Sequence, residues 1–94
     1  MTILHQIQHS PFENQALKCC LRYATKDDTI LLVGNAVNTL MHKPSKTLLE
    51  GFQVLVLEED VKARGLTQQA NGFELIDYQA FVTLTFQHNK VISW

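Results

Sequence analysis

The fold of this chain is decided by the stretch from 53 to 66, Gln53-Val54-Leu55-Val56-Leu57-Glu58-Glu59-Asp60-Val61-Lys62-Ala63-Arg64-Gly65-Leu66. Its first part, Val54 to Leu57, is an unbroken apolar run, which is typical of a strand covered on both faces in a parallel sheet. Three carboxylates follow, from Glu58 to Asp60, and they favour the positive end of a helix dipole. Gly65 can adopt the left-handed conformation that ends a short helix. The stretch therefore predicts a buried strand, an acidic turn and a short helix.

Asp60 and Arg64 are the two residues of this stretch that we single out. They are four positions apart, so on a helix their side chains face each other and can form an ion pair. An exposed pair of this kind contributes less than about 1 kcal/mol to stability. Arginine is also a frequent anchor residue at protein interfaces. Both residues are therefore candidates for a contact with a partner protein.

Length and composition limit the classes of protein that fit the chain. Its 94 residues are enough for one domain, spanning residues 1–94, and the hydrophobic share of 46% is ordinary for a folded protein. The net charge of −1, without a basic cluster, argues against direct nucleic-acid binding, which depends on neutralising phosphates. We expect no membrane span and no signal peptide, because the apolar segments are short. Two adjacent cysteines form no disulfide framework, so the expected setting is cytoplasmic.

Strand-like and helix-like segments alternate along the chain. Besides the run beginning at Gln53, we predict strands at Ile3–Ile7, Thr29–Val33 and Phe73–Ile76, and a terminal strand or extended arm at Val91–Trp94. Further helices are predicted from Ser10, over Ala36–Met41 and after Asp77, with loops at His42–Ser45 and Gln68–Gly72. The alternation predicts a three-layer α/β fold, in which a mostly parallel sheet carries helices on both faces.

The first and last of these helices carry signals for where they begin. Ser10 can cap the first one, and Glu13 completes a capping box around Pro11. Asp77 can cap the last one. For the first helix the residues predicted to face inward are Phe12, Ala16, Cys19, Cys20 and Tyr23. For the last helix they are Tyr78, Phe81, Val82 and Thr85.

Cys19 and Cys20 are the only residues that suggest nucleophilic chemistry. On a helix, neighbouring side chains point about 100° apart, so the two thiols are badly placed to bridge or to share a metal. Neither residue is expected at a helix N-terminus, where the dipole would acidify a thiol. Lys18 and Arg22 flank Cys19 and would help a thiolate there. We interpret both as core cysteines and keep them as the weaker, catalytic candidates.

Other site signals are weak, so we expect no metal and no cofactor. The four histidines, His5, His9, His42 and His88, lack metal-ligand spacing, and structural or surface roles are favoured for them. Gly34-Asn35-Ala36 follows a strand, as a phosphate loop would, but it has one glycine and no lysine or serine behind it.

Several motifs, in order and at matching spacing, make the whole chain resemble the TusB/DsrH family. The more specific ones are the block Glu59-Asp60-Val61-Lys62-Ala63-Arg64-Gly65-Leu66 and the ending from Ile76-Asp77-Tyr78 through Phe81-Val82 to Ser93-Trp94. Leu4-His5, Ser10-Pro11-Phe12 and Leu31-Leu32-Val33 add to them. The resemblance implies a DsrE-like α/β fold.

The resemblance also implies a function in sulfur transfer. TusB assembles with TusC and TusD into a dimer of heterotrimers that passes persulfide sulfur toward 2-thiolation of wobble uridine in tRNA. The family's sulfur-carrying cysteine lies on TusD, which implies a non-catalytic subunit here, linked indirectly to a tRNA thiolation enzyme. The DsrH branch, from sulfur-oxidising bacteria, has a cysteine near the first helix, so a sulfur acceptor using Cys20 or Cys19 is an alternative. A homomeric α/β binding module unrelated to sulfur is another.

One loop departs from the family pattern. After the second strand the family usually reads Gln-Asp-Gly-Val, whereas this chain has Gly34-Asn35-Ala36-Val37. Asn35 keeps the size of aspartate without its charge, so a role that depends on a negative charge in this loop is in doubt.

The carboxyl end is predicted to be an assembly element. Val91, Ile92 and Trp94 place three apolar side chains in the last four residues. A terminal tryptophan must bury against its own sheet or against another subunit, and tryptophan is enriched among the residues that dominate interface energies. Trp94 is therefore an interface candidate beside Asp60 and Arg64.

Overall fold

A computed structural model describes residues 2–94, which are built around one five-stranded sheet. All of its strand pairs are parallel, and the order across the sheet is β4-β3-β2-β1-β5. The strands are β1 (Ile3–Ile7), β2 (Thr29–Leu32), β3 (Gln53–Leu57), β4 (Glu74–Ile76) and β5 (Lys90–Ser93). The helices are α1 (Ala16–Tyr23), a 3₁₀ helix (Gly34–Met41), α2 (Lys43–Leu48), α3 (Glu58–Ala63) and α4 (Tyr78–Gln87).

The strand order assigns each helix to a face of the sheet. From β1 to β4 each new strand is added on the same side, so right-handed crossovers carry α1, the 3₁₀ helix, α2 and α3 over one face, here called the first face. The next connection returns past β1 to β5, so its helix, α4, lies on the second face. The predicted α/β fold, with three layers and helices on both faces, is confirmed.

The core is divided between the two faces by the alternation of side chains along the strands. On the first face, Ile30, Leu32 and Val56 pack with residues of α1, the 3₁₀ helix and α3. On the second face, the core cluster is smaller and consists of Leu4, Leu31, Val33, Leu55 and Leu57, against which Ile76, Phe81 and Leu84 pack. The first face therefore contains the larger core.

The stretch from 53 to 66 folds as its sequence predicts. β3 is followed at once by α3, whose first turn holds Glu58, Glu59 and Asp60. Gly65 follows with a φ of 65°, a left-handed conformation that ends the helix.

The predicted start of the first helix is wrong. Residues 11–13 form a turn, in which the Ser10 hydroxyl accepts a hydrogen bond from the Phe12 amide at 3.1 Å. The Asn14 side chain accepts from the Ala16 amide at 2.9 Å, and α1 begins at Ala16. Phe12 therefore lies outside the helix, and the buried residues of α1 are Leu17 and Cys20, so the inward position predicted for Cys20 is confirmed.

The inward faces of the helices are consequently corrected. On α1, Cys19 and Tyr23 are exposed, although both were predicted to face the core. On α4, the Asp77 carboxylate caps the helix as predicted, accepting from the Ala80 amide at 2.8 Å, and Phe81 faces inward. Tyr78 and Val82 are exposed, because the single helix on the second face contacts the sheet along Phe81 and Leu84.

The segment 34–48 contains more helix than its sequence suggests. The helix predicted over Ala36–Met41 is a 3₁₀ helix that begins at Gly34, and the loop predicted at His42–Ser45 is wrong, because α2 begins at Lys43. Pro44 occupies the first turn of α2, where a missing amide hydrogen costs nothing.

The carboxyl end forms the edge strand β5, parallel to β1. It extends the sheet to its last residue, since the Trp94 amide donates to the Gln6 carbonyl at 2.8 Å. Within residues 2–94, no helix combines the length and the apolar character needed to cross a membrane.

Candidate functional site

The carboxyl ends of three strands open into a groove at one edge of the sheet. Ligands of open α/β sheets bind outside this edge, because loops and helix starts converge there. The groove has a volume of about 490 Å³ and is open to solvent. Its lining comes from β1, the segment after β2, α3 and α4, and includes Gln8, Asn35, Asp60, Arg64 and Tyr78.

Asp60 connects α3 to the loop that follows β2. The predicted ion pair forms, with 3.5 Å between Asp60 Oδ1 and Arg64 Nη1. The other carboxylate oxygen, Oδ2, accepts a hydrogen bond from the Gly34 amide at 2.7 Å. Gly34 has a φ of 54°, a left-handed conformation that suits glycine. Asp60 therefore links α3 to the backbone of Gly34, in addition to forming an ion pair with Arg64.

Asn35 joins the same polar cluster through both ends of its amide. Its Nδ2 donates to Glu13 Oε1 at 3.1 Å, and its Oδ1 accepts from Arg64 Nη2 at 2.9 Å. An aspartate at this position could accept from the arginine but could not donate to the glutamate. Asparagine at position 35, where the family usually has aspartate, therefore allows a hydrogen bond to the carboxylate of Glu13.

The two cysteines lie away from this groove and differ sharply from each other. Cys20 is fully buried in the first-face core, and burial, followed by the nearby charge of Asp28, raises the pKa of its thiol to about 12. The thiol is therefore protonated at neutral pH and a poor nucleophile. Cys19 is exposed on the outer side of α1. Of the two, only Cys19 is accessible to another molecule.

A buried polar network around His5 is the feature that sequence reasoning missed. The imidazole is fully buried, with Nε2 at 2.9 Å from Asp28 Oδ2 and Nδ1 accepting from Trp94 Nε1 at 3.1 Å. A nitrogen that accepts carries no hydrogen, so His5 is neutral with its proton on Nε2, donated to Asp28. The only signal in the sequence is the pair of polar residues, His5 and Gln6, within the short strand β1.

Trp94 is thus held by its own chain. It is partly buried and packs against the first-face core. Its ring lies 6.1 Å from that of Tyr23 and 6.1 Å from that of His5, between centroids. Of the two alternatives for the terminal tryptophan, burial against its own sheet is the one observed. An additional interface role for its exposed part stays a prediction.

Asp28 holds the start of β2 and the start of β1 together. Its carboxylate accepts from the amides of Ile3 at 3.0 Å and Thr25 at 3.1 Å, in addition to His5. Burial by itself raises the pKa of this carboxyl, but the hydrogen bonds from His5, Thr25 and Ile3 outweigh burial and hold the pKa below its usual value. The carboxylate is ionised in the folded chain at neutral pH.

Two of the other histidines, His9 and His42, make local contacts, whereas His88 contacts a residue distant in the chain. His9 lies 3.8 Å from Glu13, His42 hydrogen-bonds to Ser45 at 2.7 Å, and His88 hydrogen-bonds to Thr29 at 2.9 Å. Over residues 2–94, no three side chains of histidine, cysteine, aspartate or glutamate gather closely enough to hold a metal ion.

The outer side of α4 is apolar and open. Tyr78, Val82 and Phe86 follow one another at four-residue spacing, and their exposed fractions are 55%, 56% and 84%. We call these three residues the α4 stripe. Apolar patches of this kind commonly mark a surface that binds another protein.

Comparison with known proteins agrees with this architecture. A family model described as DsrH like protein matches residues 9–91. Two curated relatives, from Yersinia pestis (strain Pestoides F) and Yersinia pseudotuberculosis serotype O:1b (strain IP 31758), are named "Protein TusB". Each is 38% identical to the chain over 97 residues, covering 98% of the chain and 100% of the relative. The chain belongs to the TusB/DsrH family.

The fold of this TusB/DsrH member also matches a solved structure. The solution NMR structure of protein Tm0979 from Thermotoga maritima superposes with a TM-score of 0.68 and 22% sequence identity, covering 90% of this chain and 92% of that one. The similarity shows a shared fold.

Replacing Asp28 should change how stability depends on pH. Since its folded-state pKa is lowered, the ionised carboxylate stabilises the fold above the ordinary value of 3.8, and this contribution is lost as the pH falls through the folded-state pKa. Asp28→Asn should lower the free energy of unfolding by about 1–3 kcal/mol at neutral pH and flatten its fall in acid. Urea unfolding between pH 3 and pH 7 would measure both. Asp27→Asn, at the exposed neighbouring position, is the control, and equal acid dependence in the two variants would contradict the assignment.

Substitutions at Asp60 and Arg64 should have unequal effects on stability. Asp60→Ala removes the acceptor for the Gly34 amide and should cost about 1–3 kcal/mol, whereas Arg64→Ala should cost about 1 kcal/mol or less. Lys62→Ala breaks the exposed pair with Glu58, whose atoms are 3.3 Å apart, and serves as a matched control. Chemical denaturation of the original chain and the three variants measures these free energies of unfolding. Equal losses in Asp60→Ala and Lys62→Ala would contradict a stabilising link between Asp60 and the Gly34 amide.

Proposed function

We propose that this chain is a non-catalytic subunit of a cytoplasmic sulfur-relay complex that supports 2-thiolation of wobble uridine in tRNA. Full-length similarity to proteins named TusB supports the sulfur-relay part of this proposal. The α4 stripe is the observation that carries the role as a subunit, because three large apolar side chains on one helix face are stabilised when a partner covers them.

The proposed partners are a TusC-like and a TusD-like subunit, assembled as a dimer of heterotrimers. The second face of the sheet supports this arrangement, because one helix alone covers it and that helix is apolar on its outer side as well. The exposed parts of Arg64, Asp60 and Trp94 are further interface candidates. The link to a tRNA thiolation enzyme is indirect, through the assembled complex.

The thiols support a non-catalytic role for this subunit. A sulfur carrier must attack a persulfide as a thiolate, and the raised pKa and full burial of Cys20 oppose this step. In the proposed complex the sulfur is therefore carried by a cysteine of another subunit. This chain contributes a surface that holds that subunit in place.

A second candidate function rests on one observation, the exposure of Cys19. A DsrH-like persulfide acceptor requires a thiol that a donor can reach, and Cys19 meets that requirement. The exposure of Cys19 and the burial of Cys20 support Cys19 as the thiol of this alternative, which the sequence left open between Cys20 and Cys19.

Serine substitutions of the cysteines separate the two candidates. Under the proposed role, cells that depend on Cys19→Ser, Cys20→Ser or the double variant should keep normal levels of 2-thiouridine in tRNA. Mass spectrometry of tRNA nucleosides measures this level, and size-exclusion chromatography checks that the complex still forms. Loss of 2-thiouridine with Cys19→Ser alone, in an intact complex, would favour the acceptor function.

Changing the α4 stripe should prevent assembly without affecting the fold. Phe86→Ser removes a ring that is 84% exposed, so the free energy of unfolding should change by no more than about 0.5 kcal/mol. If Phe86 anchors the interface, affinity for the co-expressed partners should fall by about 2 kcal/mol or more. Affinity purification and sedimentation measure the effect.

Phe12→Ser is the matched control for this experiment. Phe12 is also a largely exposed phenylalanine, at 61%, but it lies at the start of the first-face helices. Its substitution should leave assembly unchanged. Normal assembly with Phe86→Ser would exclude this part of α4 as the interface, and a homodimer lost with Phe86→Ser would favour the homomeric binding module.

A further inference from the structure

The dipeptide Asn71-Gly72 lies in the run of turns, residues 67–72, between α3 and β4. Both of its residues are exposed, and Gly72 has a φ of 92°. A side-chain carbon placed on Gly72 would meet no atom within 4 Å, so nothing crowds this part of the main chain. Exposed turns are also where chemical attack on a folded chain, such as proteolysis, concentrates.

An asparagine that precedes a glycine is chemically labile. The main-chain nitrogen of the following residue can reach the carbonyl carbon of the asparagine side chain, and a glycine there has no side chain to obstruct the approach. Asparagine is accordingly one of the residues depleted from proteins that work at high temperature. Of the five asparagines in this chain, only Asn71 is followed by glycine.

The structure also separates Asn71 from the other asparagines. Within residues 2–94, neither the Asn71 side chain nor the main-chain amide of Gly72 makes a hydrogen bond, so both reacting groups are unrestrained. The other four asparagines are held in place, by side-chain hydrogen bonds at Asn14, Asn35 and Asn89 and by a half-buried position in the 3₁₀ helix at Asn38.

We propose that Asn71 is a site of spontaneous deamidation in the folded chain, with water as the only co-reactant. The Gly72 nitrogen loses its proton to solvent and forms a bond to Cγ of Asn71. The bond between Cγ and the side-chain nitrogen then breaks, and this nitrogen takes up a proton and leaves as ammonia. The product is a succinimide ring that joins the side chain of residue 71 to the main chain.

Water opens the succinimide at either of its two carbonyl carbons. Opening at Cγ restores the original main chain and leaves an aspartate at position 71. Opening at the main-chain carbonyl leaves an isoaspartate, in which the main chain runs through the former side chain. In both products a carboxylate has replaced a neutral amide, and no atom has been oxidised or reduced.

The isoaspartate product lengthens the main chain directly in front of β4. The turn is closed by a hydrogen bond from the Phe73 amide to the Ala70 carbonyl at 2.9 Å, and the modified dipeptide lies inside that closed ring. β4 is an edge strand of three residues that pairs with β3 alone. A strand with so few pairing bonds opens at low cost in free energy. We therefore expect β4 to loosen in the isoaspartate form.

The test is incubation of the full chain at physiological temperature in neutral and mildly alkaline buffers, followed by tandem mass spectrometry of its peptides. The mass of residue 71 should rise by the difference between a hydroxyl and an amino group. The rate should increase with pH, because the attacking nitrogen must lose its proton. In ion-exchange chromatography the product should carry one more negative charge than the original net charge of −1.

The chain supplies its own controls for this experiment. Asn14, Asn35, Asn38 and Asn89 should keep their mass over the same period. Asn71→Gln, which keeps a neutral amide in an exposed turn, should fold normally and give no acidic product. Modification of position 71 only when the chain is unfolded in urea, or equal modification at Asn89, would overturn the proposal.

Amide hydrogen exchange of the separated products tests the effect on β4. In the isoaspartate form the amides of Leu75 and Ile76 should exchange faster than in the original chain. β5, the other edge strand, should be unchanged. Asn71→Asp adds the charge without lengthening the main chain and should exchange like the original. Equal exchange of β4 in all of these forms would overturn the predicted loosening.

Discussion

The right-handed crossover between parallel strands is the constraint on which the rest of this structure depends. Since β1 to β4 are added in one direction, three connections must cross the first face, and the single connection in the other direction must cross the second. The helices of the first face bury one another's flanks, and α4 has no neighbour on its own layer. An outer apolar side on α4 is thus a consequence of strand order combined with the composition of that helix. A second layer of protein over it is the simplest way to remove it from water.

Local features could be predicted from the sequence because their causes are local. The buried β3, the acidic first turn of α3, the end of that helix at Gly65 and the cap at Asp77 each depend on a few neighbouring residues. The start of α1 could not be predicted in this way. Ser10 and Glu13 fit a capping box that would start the helix near residue 11. The Asn14 side chain instead accepts a hydrogen bond from the Ala16 amide, and the helix begins at Ala16.

The errors on the helix faces have a tertiary cause. Tyr78, Phe81 and Val82 are all apolar, so periodicity alone does not select which of them faces the sheet. The choice depends on which side of α4 meets the small second-face core, and this follows from the strand order. His5 escaped recognition for a related reason. A histidine within a strand gives no indication of partners that lie 23 and 89 residues away in the chain.

Two buried or half-buried carboxylates fasten opposite ends of the sheet. Asp60 holds the backbone at Gly34, at the carboxyl edge, and Asp28 holds the starts of β1 and β2, at the amino edge. Each accepts from a backbone amide that lies 25 or 26 residues away, so each ties together segments that the sheet alone would join only through strand pairing. Asp28 also reaches the end of the chain through His5 and Trp94. The terminal strand is thus fixed by a side-chain network as well as by its pairing with β1.

The same network affects the reactivity of the neighbouring Cys20 thiol. Cys20 lies in the core close enough to Asp28 for the carboxylate to disfavour a thiolate, and burial disfavours it more. A charge that stabilises the fold through His5 therefore adds to the effect of burial on the neighbouring thiol. Cys19, one position along, is exposed instead. On a helix, a shift of one residue turns the side chain by about 100°, which is enough to separate an inert thiol from an accessible one. The position of each cysteine relative to the buried arc of α1, more than its presence in the sequence, therefore decides whether its thiol is accessible in this chain.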